Sequence, residues 1–168
     1  MAAAAWGAVR ALKKLQALSA ASVAEGALLG RVDDLQFDLA TGRVYGFRFK
    51  QGVFGKVGGA PAEAVTLIGE DLVLLATAAS IVWNGTPRVA VPGRAWATEY
   101  RGLKVMTRRG LALGQVDDVV VALGPAHIPA LVLDGARAVL LDPETVSLGR
   151  DSVVLADADR VVPRPAEW

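Results

Sequence analysis

Gly26-Ala-Leu-Leu-Gly30-Arg-Val32-Asp33-Asp34-Leu35-Gln-Phe37 recurs without a gap, 84 residues later, as Gly110-Leu-Ala-Leu-Gly114-Gln-Val116-Asp117-Asp118-Val119-Val-Val121. Self-similarity at a fixed offset is the mark of a duplicated structural unit. Further on, Pro61-Ala-Glu-Ala-Val65-Thr-Leu67-Ile-Gly69-Glu-Asp71-Leu-Val73 returns as Pro143-Glu-Thr-Val146-Ser-Leu148-Gly149-Arg-Asp151-Ser-Val153, with the offset reduced to 80 by small deletions. Two halves therefore carry the same order of elements.

Each half consists of short Val, Leu and Phe runs punctuated by Gly, Asp and Pro, the pattern of strands joined by tight turns. Val32, Phe37, Val44, Phe47 and Phe49 supply apolar strand positions in the first half. Asp38-Leu-Ala-Thr41-Gly42 reads as a hairpin loop closing through Gly42 at positive φ. Ala122-Leu-Gly124-Pro125 takes the equivalent place in the second half, and Gln51-Gly52 and Asp134-Gly135 mark the next turns. After each shared proline, Glu63 and Glu144 suit one short helical turn. The fold class is all-β. A unit of about 70 to 80 residues with short strands disposes of its edges by stacking into a sandwich or closing into a small barrel, and closure is the expectation here.

The Gly30-Arg-Val-Asp-Asp-Leu and Gly114-Gln-Val-Asp-Asp-Val openings, the Asp38 to Val44 hairpin and the Pro61 and Pro143 segments together resemble the PRC-barrel family, named after the photosynthetic reaction centre H subunit. The resemblance covers residues 19–168, as two tandem copies. It implies small β-barrels that act as scaffolds or docking modules without an active site of their own. Members of that family assist reaction-centre assembly and electron transfer, or form part of ribosome maturation factors. This chain has no single N-terminal transmembrane helix of the reaction-centre kind, and a second barrel stands where a ribosome maturation factor carries a different domain. The expected organisation is an N-terminal arm or short helix at 1–18, a first barrel at 19–83, a linker at 84–98 whose Asn84 to Arg94 stretch is rich in turn formers, and a second barrel at 99–168.

Composition narrows the chemistry. The 168 residues are 53% hydrophobic and 21% charged, with 18 basic and 17 acidic side chains, so a disordered chain and a strong nucleic-acid field are both unexpected. There is no Cys and one His, which excludes disulfides, thiolate nucleophiles and Cys or multi-His zinc sites within one chain. The longest nearly apolar stretch, residues 72–83, is well below the roughly 18 residues that span a bilayer. The basic residues Arg10, Lys13 and Lys14 follow the apolar start, the reverse of a secretory signal, so a cytoplasmic protein, peripheral to a membrane at most, is the expectation.

Asp33-Asp34 and Asp117-Asp118 are the first candidates for acid–base work, but adjacent strand residues point to opposite faces, and a general acid and base must converge. They read as turn or edge residues bonding nearby backbone N–H groups; the alternative, a hard-cation site, finds no dedicated calcium loop in the spacing. His127, between Pro125 and Pro129, decorates a loop or strand edge. The Gly52 to Gly59 stretch is not a phosphate loop, because Val57 follows Gly55-Lys56 where Ser or Thr is required. Its plain reading is a flexible hairpin and its sharper reading a docking loop that presents Phe54 beside Lys56. No catalytic, cofactor-binding or metal-binding residue is assigned.

The remaining candidates belong to surfaces. Lys104, Arg108 and Arg109, with Arg101 nearby, form a basic cluster around the start of the second barrel, with Arg109-Gly110 at a hairpin tip, and Trp83 and Trp96 flank the linker and are expected to be buried between the barrels. Phe54, Lys56, Trp83, Trp96, Arg108 and Arg109 are accordingly the candidate partner-binding residues. Residues 7–18 can be drawn as a helix with Leu12, Leu15 and Leu18 on one side and Arg10, Lys13 and Lys14 on the other, which makes those three cations the candidate membrane-surface residues. The plainer reading packs those leucines across a barrel. Trp168 either anchors the tail or is left disordered.

The expectation is a non-catalytic tandem PRC-barrel scaffold or adaptor, monomeric or homodimeric, that docks onto a protein partner. A peripheral membrane-complex assembly factor using the basic N-terminal segment is the alternative. A small-ligand-binding protein or an RNA-processing accessory factor ranks below both.

Overall fold

In the computed structural model the described residues are 9–53, 55–84, 91–142 and 146–168. The first half runs β1 (Val9–Ala11), α1 (Leu12–Gln16), β2 (Ser19–Ser22), β3 (Leu28–Asp38), β4 (Val44–Lys50), β5 (Val57–Pro61), β6 (Val65–Ile68), β7 (Leu72–Leu75) and β8 (Val82–Trp83). The second half runs β9 (Arg94–Trp96), a 3-10 turn at Ala97–Tyr100, β10 (Lys104–Thr107), β11 (Ala112–Gln115), β12 (Asp118–Ala122), β13 (His127–Val132), β14 (Arg137–Leu140), β15 (Val146–Leu148), β16 (Ser152–Leu155) and β17 (Val161–Pro163). The all-β class holds, with α1 as the one α-helix among the described residues.

The ladders repeat as the sequence does. In the first half β2 pairs antiparallel with β3 and parallel with β7, and β3, β4, β5 and β8 follow one another antiparallel. In the second, β10 pairs antiparallel with β11 and parallel with β16, while β12, β13, β14 and β17 form the same meander. The long β3 is divided into β11 and β12 in the second half, at Val116-Asp117. The hydrogen-bonded sheets are open; no ladder among the described residues closes on itself, and the layers are completed by packing. Gly42 closes the β3–β4 hairpin at φ +72° as expected, with its N–H donated to Asp38 O at 2.8 Å.

Residues 9–16, within the segment expected as an arm or short helix, and residues 94–96, within the expected linker, each add a strand to the opposite half. β1 pairs with β12 of the other half, and β9 pairs with β3 of the other half. The registers correspond: Ala11 faces Val120 as Trp96 faces Gln36, and Val9 faces Ala122 as Arg94 faces Asp38. Each half thus lends its opening strand to its neighbour. Turn signals mark where the chain reverses but carry no information on which half a three-residue strand joins.

One core runs through both halves. Leu12 and Leu15 of α1 are fully buried in it, together with Phe37, Phe49, Tyr100, Val119 and Leu131. The Phe37 and Tyr100 rings meet edge to face across the halves at 5.2 Å. A second, smaller cluster lies on the opposite face of the β12–β13–β14 sheet, where Val120, Ala130, Val132 and Ala138 are covered by Trp168. Both faces being covered explains why β12 reads as an unbroken apolar run rather than an alternating one. Trp168, 1% exposed, is an anchor for the tail.

Candidate functional site

The two Asp pairs sit on β3 and at the junction that leads into β12, and the strand pleat sends the two members of each pair to opposite faces. A register shift between Val32 and Asp34 lets Asp34 and Leu35 both turn inward. Asp34 is fully buried. Its carboxylate accepts the N–H of Leu35 at 2.8 Å, the N–H of Thr98 at 3.1 Å and the Thr98 hydroxyl. Asp118, likewise buried, accepts the N–H of Val119 at 2.9 Å and the N–H of Lys13 at 2.9 Å, with Arg101 donating from 3.3 Å.

The N–H groups in question are far away in sequence. Thr98 lies in the first turn of Ala97–Tyr100 and Lys13 in the first turn of α1, and the residue preceding each turn makes no side-chain capping bond. A helix start leaves backbone N–H groups without intrahelical acceptors, and a carboxylate placed there satisfies them. Here each half supplies the cap for the other half's helical turn. The outward members hold ion pairs, Asp33 with Arg48 at 3.1 Å and Asp117 with Lys13 at 3.0 Å.

Between the two caps the halves touch through equivalent residues. Gln16 donates from Nε2 to Asp33 O at 2.6 Å and accepts from Arg101 at 2.8 Å. At the other end of the seam, Arg43 and His127 form an antiparallel bridge, flanked by Val44 N–H to Ala126 O at 3.0 Å and Ile128 N–H to Gly42 O at 2.8 Å. His127 donates from Nδ1 to Pro125 O at 2.7 Å. Burial pushes the Tyr100 phenol up, and its hydroxyl donates to Gly149 O at 2.6 Å. Among the described residues, no three His, Asp or Glu side chains gather as a metal site would need.

The other candidates are dispersed. Arg108 and Arg109 are exposed at the β10–β11 tip, with Arg108 N–H donated to Leu155 O at 2.8 Å. Lys56 is exposed on the loop between β4 and β5, and Phe54 lies outside the described residues. Trp83 and Trp96 do not face each other between two barrels; both belong to the first half's sheet. Trp83 on β8 packs against Gly58 so closely that a Cβ there would come within 2.7 Å of the ring. Trp96 is buried on β9 with the Arg48 guanidinium 5.9 Å from its ring centroid.

The N-terminal segment follows the plainer of its two readings, with leucines turned onto protein and lysines turned outward. Leu12 and Leu15 are spent on the core between the halves, Lys13 on Asp117 and Arg10 on Val9 O at 2.8 Å, leaving Lys14 exposed. Among the described residues no helix is long and apolar enough to cross a membrane.

Sequence reasoning passed over Thr98 and Gln16, and it placed Arg101 in a surface cluster with Lys104, Arg108 and Arg109, whereas the side chain turns to Gln16 and Asp118. It also passed over a cleft of about 620 Å³ lined by Leu28, Arg31, Lys50 and Val53. Residues 96–161 match the family model of the PRC-barrel domain, a span that runs from the end of β9 to the start of β17. That family consists of small β-barrel modules often involved in protein interactions. No curated protein matches the sequence significantly.

Proposed function

We propose that the chain is a non-catalytic scaffold of two PRC-barrel-like halves that docks a protein partner, the first half being a diverged second copy of the matched domain. The observation that carries this reading is the use to which the buried carboxylates are put. Asp34 and Asp118, the acidic groups a catalyst would draw on first, are held by backbone N–H groups of the opposite half. A carboxylate buried and bonded in this way acts as a cap and is turned away from any substrate that approaches through solvent. The repeat of ladders in both halves supports descent from one module, and the match over residues 96–161 supports the interaction role.

The test is capture of the full chain from its native cells after crosslinking, with the membrane fraction retained. Recovery of one protein in fixed stoichiometry is expected. Recovery of the chain alone, with a small molecule bound in a seam cleft, would overturn the reading in favour of a ligand-binding role.

A further inference from the structure

The halves differ most at the hairpin that ends β4 and its counterpart after β13. In the second half residues 134–137 close the turn on themselves: Asp134 accepts the N–H of Ala136 at 3.0 Å, the N–H of Arg137 at 2.9 Å and Arg137 Nε at 2.7 Å. In the first half residues 51–56 form a longer loop, pinned at its base by Gln51 N–H to Lys56 O at 2.9 Å. That loop holds Val53 out to solvent at 78% exposure. Facing it, Leu28 at the start of β3 is 73% exposed, and the two line the same cleft.

Exposed large apolar side chains are ordinary when scattered and informative when they share a concavity. Here the rim is cationic. Arg31 and Lys50 line the cleft and Lys56 is exposed on the same loop. Asp33, the acidic group in the lining, is already paired with Arg48. The second half also has an exposed Leu111, but its corresponding hairpin is the tight 134–137 turn rather than a long loop.

We infer that the cleft between Leu28 and Val53 takes an extended segment of a partner protein in which acidic side chains alternate with apolar ones. An extended chain sends successive side chains to opposite sides, so a carboxylate reaching Arg31 or Lys50 is followed by an apolar side chain laid on Leu28 and Val53. The apolar floor disfavours a phosphate backbone, which wants cations throughout. This assignment rests on the docking reading above and adds to it the surface and the chemistry of the occupant.

The test uses the full chain, labelled with 15N, titrated with a blocked hexapeptide alternating glutamate and leucine and, separately, with its lysine–leucine counterpart. Saturable amide shifts confined to residues 28–33 and 50–57 are expected with the acidic peptide alone, weakening at least tenfold in K50E and in the double variant L28S/V53S, and falling as salt is raised. Leu28 and Val53 are exposed and Lys50 is partly so, and an unchanged melting curve for each variant confirms that the fold is intact. Equal binding of the lysine peptide, shifts elsewhere, or none at all overturns the assignment. So does binding of phosphatidylserine vesicles that L28S/V53S abolishes, which would make the occupant a lipid surface. If crosslinking captures the same partner with L28S/V53S as with the parent chain, the cleft is wrong while the docking reading stands.

Discussion

Asp34 on β3 holds Thr98 of the opposite half through the Thr98 backbone N–H, at 3.1 Å, and through its hydroxyl. Asp118 holds the Lys13 N–H at 2.9 Å in the reciprocal position. Both carboxylates are buried, so each stands in for the water that would otherwise solvate a helix start. Asp34→Ala leaves buried N–H groups without an acceptor, and hydrogen bonds to a charged acceptor are worth about 1.5–3 kcal/mol each. We expect Asp34→Ala to destabilise the protein by about 3 kcal/mol in denaturant titration. Asp117→Ala removes a half-exposed ion pair with Lys13 and is expected to cost under about 1 kcal/mol. Similar losses from the two variants would contradict the capping role.

The reciprocal loan of β1 and β9 predicts how the chain behaves when it is cut. Residues 1–87 and 88–168, expressed together as separate polypeptides, are expected to co-purify one to one, because each fragment completes the other's sheet and shares Leu12, Leu15 and Tyr100 with the common core. Expressed singly, either fragment lacks a strand at an exposed sheet edge and is expected to self-associate or unfold. Size-exclusion chromatography with light scattering checks this. Two stable monomeric fragments would mean that the halves are independent domains.

The strands and their order were legible because β-branched residues, glycines and aspartates recur at matched positions; Gly42 could be placed at positive φ from its hairpin alone. The loan of strands was not. β1 reads Val-Arg-Ala and β9 reads Arg-Ala-Trp, three residues each with no shared pattern, and nothing local states which sheet so short a strand joins. For the same reason the amphipathic pattern of residues 7–18 was open to two interpretations: leucines at helical spacing specify burial but not whether protein or lipid provides it. The Asp pairs were visible as motifs. Their partners Thr98 and Lys13, 64 and 105 residues away, were not. Leu28 and Val53 look like ordinary strand and loop residues until the fold sets them on one cleft.

Acid should loosen the hairpins first. Burial pushes the Asp38 carboxyl up, but bonds from Thr41, the Ala40 N–H and Tyr45 more than reverse it, so it titrates below its usual value. The Arg137 side chain and the N–H groups of residues 136 and 137 do the same for Asp134. A carboxyl lowered in the folded state contributes stability that is complete above the unfolded value of about 3.9 and is lost as pH falls through the lower folded value. The melting temperature is therefore expected to drop as pH falls below about 4. The double variant Asp38→Asn/Asp134→Asn should start less stable at neutral pH and lose less on acidification. A parallel fall in the two proteins would mean that other carboxylates govern acid unfolding.

Trp168 offers the sharpest stability test because it is the largest side chain on its sheet face among the described residues. Its side chain is 1% exposed over Val120, Ala130, Val132 and Ala138, and its backbone oxygen accepts from Arg164 at 2.9 Å. Removing so large a buried ring exposes the small apolar side chains beneath it, and truncations of this kind cost about 3–5 kcal/mol. Trp168→Ala is expected to destabilise by that amount and to increase binding of a hydrophobic dye, since a flat apolar sheet face is uncovered while the main core stays intact. Trp168→Phe should recover most of the loss. A Trp168→Ala protein that melted like the parent and bound no more dye would show that the tail lies on the sheet without stabilising it.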